Sequence, residues 1–290
     1  MREKALWQNY QQLHQKNPAP DSEAKVDFYN QNSQNIKTVN HAPNPEAAII
    51  IPAHNESILL PRALAAINQA LTFSQTSLSV IVVDNASADA TPEIAHAFGT
   101  KVVSQPKKGV AWARQAGLYA VEPSTRFILT TDADTVVSEN WLSPHLKELA
   151  DTANQTVFTH GPISYECDFK DDLVKWFLYE IYKRAAFQVQ KTKPEELKIG
   201  IGGGNSGFIK SVALKENGYN TTLHTGEDID LMKRILNNGQ DKRVDASVIT
   251  SNRRIIHQDG IVYHSLRKLY CNVVYFATGG HWPGKTTRKP

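Results

Sequence analysis

The chain has 290 residues, enough for one large α/β domain or two small ones with a sizeable buried core. Its apolar fraction of 41% and charged fraction of 21% are those of an ordinary globular protein, and a net charge of +3 gives no footprint for nucleic acid. Met1 to Tyr10 lacks the apolar core of a signal peptide, and no run approaches the ~20 apolar residues of a membrane helix, so the chain reads as soluble and cytoplasmic.

Residues 1–45 are rich in Gln, Asn, Lys and Pro and read as a polar extension, bounded by Pro43-Asn44-Pro45. From Ala47 the texture changes. Ala48-Ile49-Ile50-Ile51 is a short continuous apolar run, as expected of a parallel strand covered on both faces, and Pro52 is expected to end it. Leu59 to Leu71 has helical spacing. Ser79 to Val83 is a second buried strand, stopped by Asp84-Asn85, and a helix from Thr91 to Phe98 follows, with Thr91 as N-cap and Pro92 at its first position.

Lys101 to Val103 is a third strand, Gly109 to Ala120 a helix, and Arg126 to Thr131 a fourth strand ending at Asp132. This repeated alternation predicts an α/β fold with a doubly wound, mostly parallel sheet. Ligands of such sheets bind beyond the carboxyl ends of the strands. His54-Asn55-Glu56, Asp84-Asn85 and Asp132-Ala133-Asp134 are all expected at such ends.

The second half is less regular. Val157 to Tyr165 supplies one or two strands, Asp171 to Gln190 a long helix, and a glycine-rich turn over Gly200 to Gly207 precedes a helix reaching Asn217. Gly226 opens another helix to about Asn238, stopped by Gly239. Lys242 to Thr250 and Arg253 to Ile256 read as extended, and 261–290 as a C-terminal tail that is basic beyond Gly279. Cys167 and Cys271 form no metal-ligand spacing and read as separate thiols.

Asp132 and Asp134 are the first chemical candidates. Two carboxylates two residues apart on a turn after a buried strand can face one space, where a hard divalent cation would share them with phosphate oxygens and water. A solvated turn is the competing interpretation. Asp84 suits a base or ribose contact, or a helix cap. Glu227 and Asp228, with Asp230, open a helix; one can accept a proton from an acceptor hydroxyl, or all can simply favour the helix dipole. The glycines around Gly204, Asn205 and Ser206 allow close backbone approach to a ligand, or form a bare turn. Lys107, Lys108 and Arg114 around Gly109, and the pair Arg253-Arg254, suit phosphate or are simply solvated. Among the scattered histidines, His264, past the acidic pair, is a third metal-ligand candidate after Asp132 and Asp134.

In this order the motifs resemble glycosyltransferase family 2, which has the GT-A fold. They run from Ile49-Ile50-Ile51-Pro52-Ala53-His54-Asn55-Glu56 through Val82-Val83-Asp84-Asn85-Ala86-Ser87, Lys108-Gly109-Val110-Ala111-Trp112-Ala113-Arg114 and Asp132-Ala133-Asp134. Gly204-Asn205-Ser206-Gly207-Phe208 and Gly226-Glu227-Asp228 complete the set, over about residues 47–255. The resemblance implies that Pro52, Ala53, Glu56, Asp84 and Arg114 contact a nucleotide, commonly uridine. It places His54, Asn55, Lys108, Gly109, Asp132 and Ala133 on the donor side and Gly204, Asn205 and Ser206 on the acceptor side. It implies Asp134 as ligand of Mg²⁺ or Mn²⁺ and Asp228 as the base of an inverting transfer.

The implied partners are a nucleotide-sugar donor and a sugar, lipid-linked or protein acceptor, in polysaccharide, glycolipid or cell-envelope glycan synthesis, with peripheral membrane contact as an option. The implied catalytic domain is 46–260, divided at 135 between a nucleotide-binding half and an acceptor-side half. The QxxRW motif and membrane helices of processive synthases are absent, which favours single transfer. A sugar nucleotidyltransferase is a second interpretation, disfavoured because no glycine- and arginine-rich loop follows the first strand; a catalytically silent nucleotide-sugar binding module is a third.

Overall fold

Strand β1 (Ala47–Ala53) runs through the middle of the sheet, with β2 (Leu78–Asp84) on one side and β4 (Phe127–Thr130) on the other, both parallel to it. β3 (Lys101–Ser104) extends the parallel set beyond β2. The computed structural model describes residues 44–74, 78–165 and 203–251. All but Tyr165 and Ser251 belong to one unit drawn from 1–164 and 201–250; a second unit comprises 165–200 and 251–290.

The apolar runs follow from the two-residue period of a strand. Ile49, Ile51, Val80, Val82, Phe127 and Leu129 enter one core layer, with Leu60, Leu64 and Ile67 of helix α1 (Leu60–Ser74) and Ile94 of α2 (Thr91–Ala97). The intervening Ala48, Ile50, Ile81, Val83 and Ile128 enter the opposite layer, with Ala113 and Leu118 of α3 (Val110–Ala120). Both faces are therefore dry, and each buried Ile or Leu contributes about 1.5–3 kcal/mol. The approach of α3 is close: a Cβ on Gly117 would stand 2.4 Å from Ile50 Cγ2. Gly117→Ala is the smallest change that would push the helix off β1.

Beyond β4 the direction reverses. β5 (Thr135–Val137), α4 (Leu142–Ala150), a 3₁₀ turn (Thr152–Asn154), β6 (Thr156–His160) and β7 (Ile163–Tyr165) come next. They are followed by β8 (Ser206–Ile209), α5 (Lys210–Lys215), α6 (Glu227–Ile235), a second 3₁₀ turn (Leu236–Asn238), β9 (Gln240–Arg243) and β10 (Val248–Thr250). The seven-stranded order is β3-β2-β1-β4-β8-β6-β9, with β8 antiparallel to both neighbours. β5, β10 and β7 form a separate small sheet. The mostly parallel α/β sheet is thus present, with β8 as an antiparallel insertion.

Local boundaries differ from the sequence reading where side chains intervene. Pro52 lies inside β1 because the strand's last residues still pair with β2, Pro52 with Val83 and Ala53 with Asp84. Thr91 is the first helical residue rather than the N-cap, since Asp89 already accepts from its backbone N–H at 3.1 Å. Ser206 and Gly207, expected in a turn, belong to β8. The expected helix over 171–190, the extended stretch at 253–256, Cys167, Cys271 and His264 lie outside the described residues. Among the described residues no helix is long and apolar enough to cross a membrane.

Candidate active site

Strand register sets the stage. Ala53 pairs with Asp84 and Asp84 with Ser104, while Thr130 pairs with Ile50 on β1 and with Ser206 on β8. Because β8 is antiparallel, its amino end meets the carboxyl end of β4, and the turn before it arrives at the sheet edge where ligands of parallel sheets bind.

The loops after β1 and β2 are laced together on one side of that edge. Asn55 donates its N–H to Ser87 Oγ at 3.0 Å and accepts from Ala88 N–H at 2.8 Å. Glu56, buried, donates its N–H to Thr91 Oγ1 at 2.8 Å, and Ser57 N–H reaches Asp89 Oδ2 at 3.1 Å. Burial alone would raise the Asp89 pKa, but hydrogen bonds from Thr91 and Ser57 outweigh it and hold the carboxyl below its ordinary value. His54 Nδ1 lies 2.8 Å from the Asn85 carbonyl, which can only accept, so Nδ1 carries the proton. Asp84, buried, accepts from Ser87 N–H at 3.1 Å.

Asn85 fixes the entry to α3. Its side-chain oxygen accepts from Gly109 N–H at 2.7 Å, and its amide donates to the carbonyls of Gln105 at 2.9 Å and Lys107 at 2.8 Å. Gly109 has φ +138, in the left-handed range that favours glycine. Lys108 is exposed, and Lys107 Nζ stands 3.7 Å over the Trp112 ring.

On the other side of β1, Arg114 gathers the acidic residues. Its Nη2 donates to Asp132 Oδ1 at 2.9 Å, and its Nη1 lies 3.2 Å from Glu227 Oε1 and 3.8 Å from Asp228 Oδ2. The Arg114 side chain is 4% exposed and Glu227 6%, against 23% for Asp228 and 41% for Asp132. Burial pushes the Glu227 pKa upward, opposed by the Arg114 charge and reinforced by Asp228. Burial works against the Arg114 charge, but Glu227 and Asp132 more than offset it and raise its pKa.

The glycine turn closes on this cluster. Gly203 N–H donates to Asp228 Oδ2 at 2.6 Å, its carbonyl accepts from Thr130 Oγ1 at 2.7 Å, and Gly204 packs against Asp132. Asp134 immediately precedes β5, and Thr250 Oγ1 donates to it at 3.2 Å. Ala133, between Asp132 and Asp134, is buried. Among the described residues no three His, Cys, Asp or Glu side chains form a group for a metal ion. Asp132, with a side chain 41% exposed, and the buried Asp134 are carboxylates, the donor type that a hard divalent cation takes beside phosphate oxygens and water.

Asn205 and Ser206 face inward. Asn205 Oδ1 accepts from Trp141 Nε1 at 2.8 Å and lies 3.1 Å from His145 Nε2, while its amide donates to the carbonyls of Pro162 at 3.0 Å and Ala246 at 2.7 Å. Ser206 Oγ donates to Thr130 Oγ1 at 2.9 Å, since the Thr130 hydroxyl hydrogen goes to Gly203. These two residues hold the turn in place. Thr130, Trp141, His145 and Thr250 escaped the sequence reading, and nothing in their local pattern marks them. Gly203, flanked by glycines, was visible only as part of a flexible turn.

Known proteins share this fold. The model of "Glycosyl transferase family 2" matches residues 48–214, more than half of the chain. A Bacillus subtilis relative, "Minor teichoic acid biosynthesis protein GgaA", is 29% identical over 102 residues, covering 33% of this chain and 23% of that protein. The chain spans less than half the length of the curated relatives it matches. Among solved structures, S. aureus TarS 1-349 in complex with UDP-GlcNAc superposes with a TM-score of 0.52 at 16% identity, over 71% of this chain and 58% of that one. GalNAc-T7 with UDP, GalNAc and Mn²⁺ gives 0.52 at 14% identity, over 72% and 44%. The fold is that of the GT-A glycosyltransferases. Its sheet, its ordered strand-end motifs and the family match together show that the chain belongs to glycosyl transferase family 2.

Proposed function

We propose that this glycosyltransferase moves one sugar, a hexose, from a UDP-linked donor to an acceptor hydroxyl, with inversion at the anomeric carbon. The observation that carries the reading is the guanidinium of Arg114, which brings Asp132, from the end of β4, and Asp228, from the start of α6, to one place. The UDP-GlcNAc bound by TarS and the UDP bound by GalNAc-T7 support the uridine donor. The teichoic acid role of GgaA supports a cell-envelope acceptor, sugar or lipid-linked, with peripheral membrane contact.

Asp84, with Pro52, Ala53, Asn55 and Glu56 around it, receives the nucleoside, and Lys108 and Gly109 face the diphosphate. Asp132 and Asp134 hold Mg²⁺ or Mn²⁺, which supplies Lewis-acid neutralisation of the diphosphate when bound. Asp228, the more exposed member of the Glu-Asp pair, takes the proton from the acceptor hydroxyl. The acceptor oxygen bonds to the anomeric carbon, and the bond to the diphosphate breaks with its electron pair leaving on UDP. Asp228 stands in the first turn of α6, and its action as base rests on placement.

Two variants test the assignment. Asp134→Ala is expected to lose the Mn²⁺-dependent part of UDP binding by calorimetry. Asp228→Asn is expected to bind UDP and Mn²⁺ normally while kcat drops about 100-fold or more. Normal turnover by Asp228→Asn would remove Asp228 as the base.

A further inference from the structure

Family resemblance puts Arg114 against the nucleotide, and its surroundings point elsewhere. Only 3% of the residue is exposed, and the glycine turn lies directly on the guanidinium: a Cβ on Gly203 would stand 1.6 Å from Nη1 and 2.3 Å from Nη2. A nucleobase needs an open donor edge. The fork instead reaches carboxylates from separate elements, with Nη2 on Asp132 and Nη1 facing Glu227 and Asp228. Gly203 N–H closes the ring on Asp228.

We propose that Arg114 is a positioning residue, which holds the donor-side carboxylate Asp132 and the acceptor-side carboxylate Asp228 at a fixed separation through one guanidinium and does not touch the nucleotide. This rests on the proposed transfer, in which both carboxylates act in one step. Glu227 is the buried counter-charge that keeps the fork oriented. Three carboxylates around one guanidinium repel one another without it, so its loss lets Asp132 and Asp228 move apart. A lysine brings one point charge and no planar fork, so it restores charge without restoring the spacing.

The test uses Arg114→Lys, Arg114→Gln and the double variant Arg114→Gln/Glu227→Gln, which removes the buried cation together with its counter-charge and decides the matter where Arg114→Gln does not fold. Metal-free UDP affinity is expected to stay within about twofold of wild type in every folded variant, while kcat falls about a hundredfold, the scale of a small misplacement of reacting groups. Arg114→Lys is expected to recover the unfolding midpoint but not kcat. A loss of metal-free UDP affinity matching that of Asp84→Ala would make Arg114 a nucleotide contact and overturn the proposal. Wild-type kcat in Arg114→Lys would overturn it as well.

Failure of the transfer reading shows separately, as a wild-type chain that neither binds UDP nor transfers sugar. The tie within the cluster then stands or falls on unfolding alone. Strongly non-additive shifts for Arg114→Gln and Glu227→Gln uphold it, and additive ones overturn it.

Discussion

Single atoms decide much at this site. Gly203 has a side-chain position already filled by the guanidinium of Arg114, 1.6 Å from Nη1. Gly203→Ala is therefore expected to displace either the turn or Arg114, at a cost of about 1–3 kcal/mol in stability and with a fall in kcat; denaturant unfolding and steady-state rates check both. Ala86 shows the opposite case. Its φ of +58 lies in the left-handed region, which disfavours an alanine by about 1–2 kcal/mol. Ala86→Gly relieves that strain and is expected to leave the thermal midpoint unchanged or raised, where an ordinary Ala→Gly change lowers it. Asp84 and Asp132 were legible as strand-end residues because the apolar runs before them leave little choice of frame. The orientation of Arg114 was not. A cation on an amphipathic helix gives no sign that it will be buried against acids from far along the chain.

Between elements, α4, β6 and β8 are joined by one buried polar network. His145 donates from Nε2 to Asn205 Oδ1, which already accepts from Trp141, and its Nδ1 lies 2.8 Å from Thr159 Oγ1. The desolvated site favours the neutral ring. Burial pulls the His145 pKa from 6.5 to about 4, with the Asn205 bond opposing and His160 adding to the fall. A lowered folded value means that this stabilisation is full above 6.5 and is lost as pH falls towards 4. Glu227, with its raised value, works in the opposite sense, so the comparison is best made by difference. Stability of wild type is expected to decline across that window more steeply than stability of His145→Gln, as read from denaturant midpoints at several pH values. No feature of the sequence announces this network. Trp141, His145, Thr159 and Asn205 meet only through packing, which single-sequence periodicity does not encode.

At the scale of the domain, the parallel half was legible strand by strand; in the rest the helices α5 and α6 and the strands β6 and β7 were legible, but β8, β9 and the order of the sheet were not. β1, β2 and β4 are buried on both faces and read as unbroken apolar runs, whereas β9, Gln240–Arg243, is wholly polar or charged. β8 carries only four residues, two of them Ser206 and Gly207, and it lies antiparallel between β4 and β6, partners far before it in the sequence. The folded sheet is what a nucleotide would recognise. UDP at about 100 times its dissociation constant, with Mn²⁺, is expected to add about 2.7 kcal/mol of stability, read as a rise in thermal midpoint that Asp84→Ala reduces.

The late arrival of β8 also bears on how the chain is made. Residues up to His160 leave the ribosome while β4 and β6 still lack the strand that will lie between them. Until Ser206–Ile209 emerges, the nascent sheet carries two unpaired edges, a template for pairing with other chains. Chains stalled or truncated before that point should aggregate, and full-length yield should rise with slower synthesis or added chaperone.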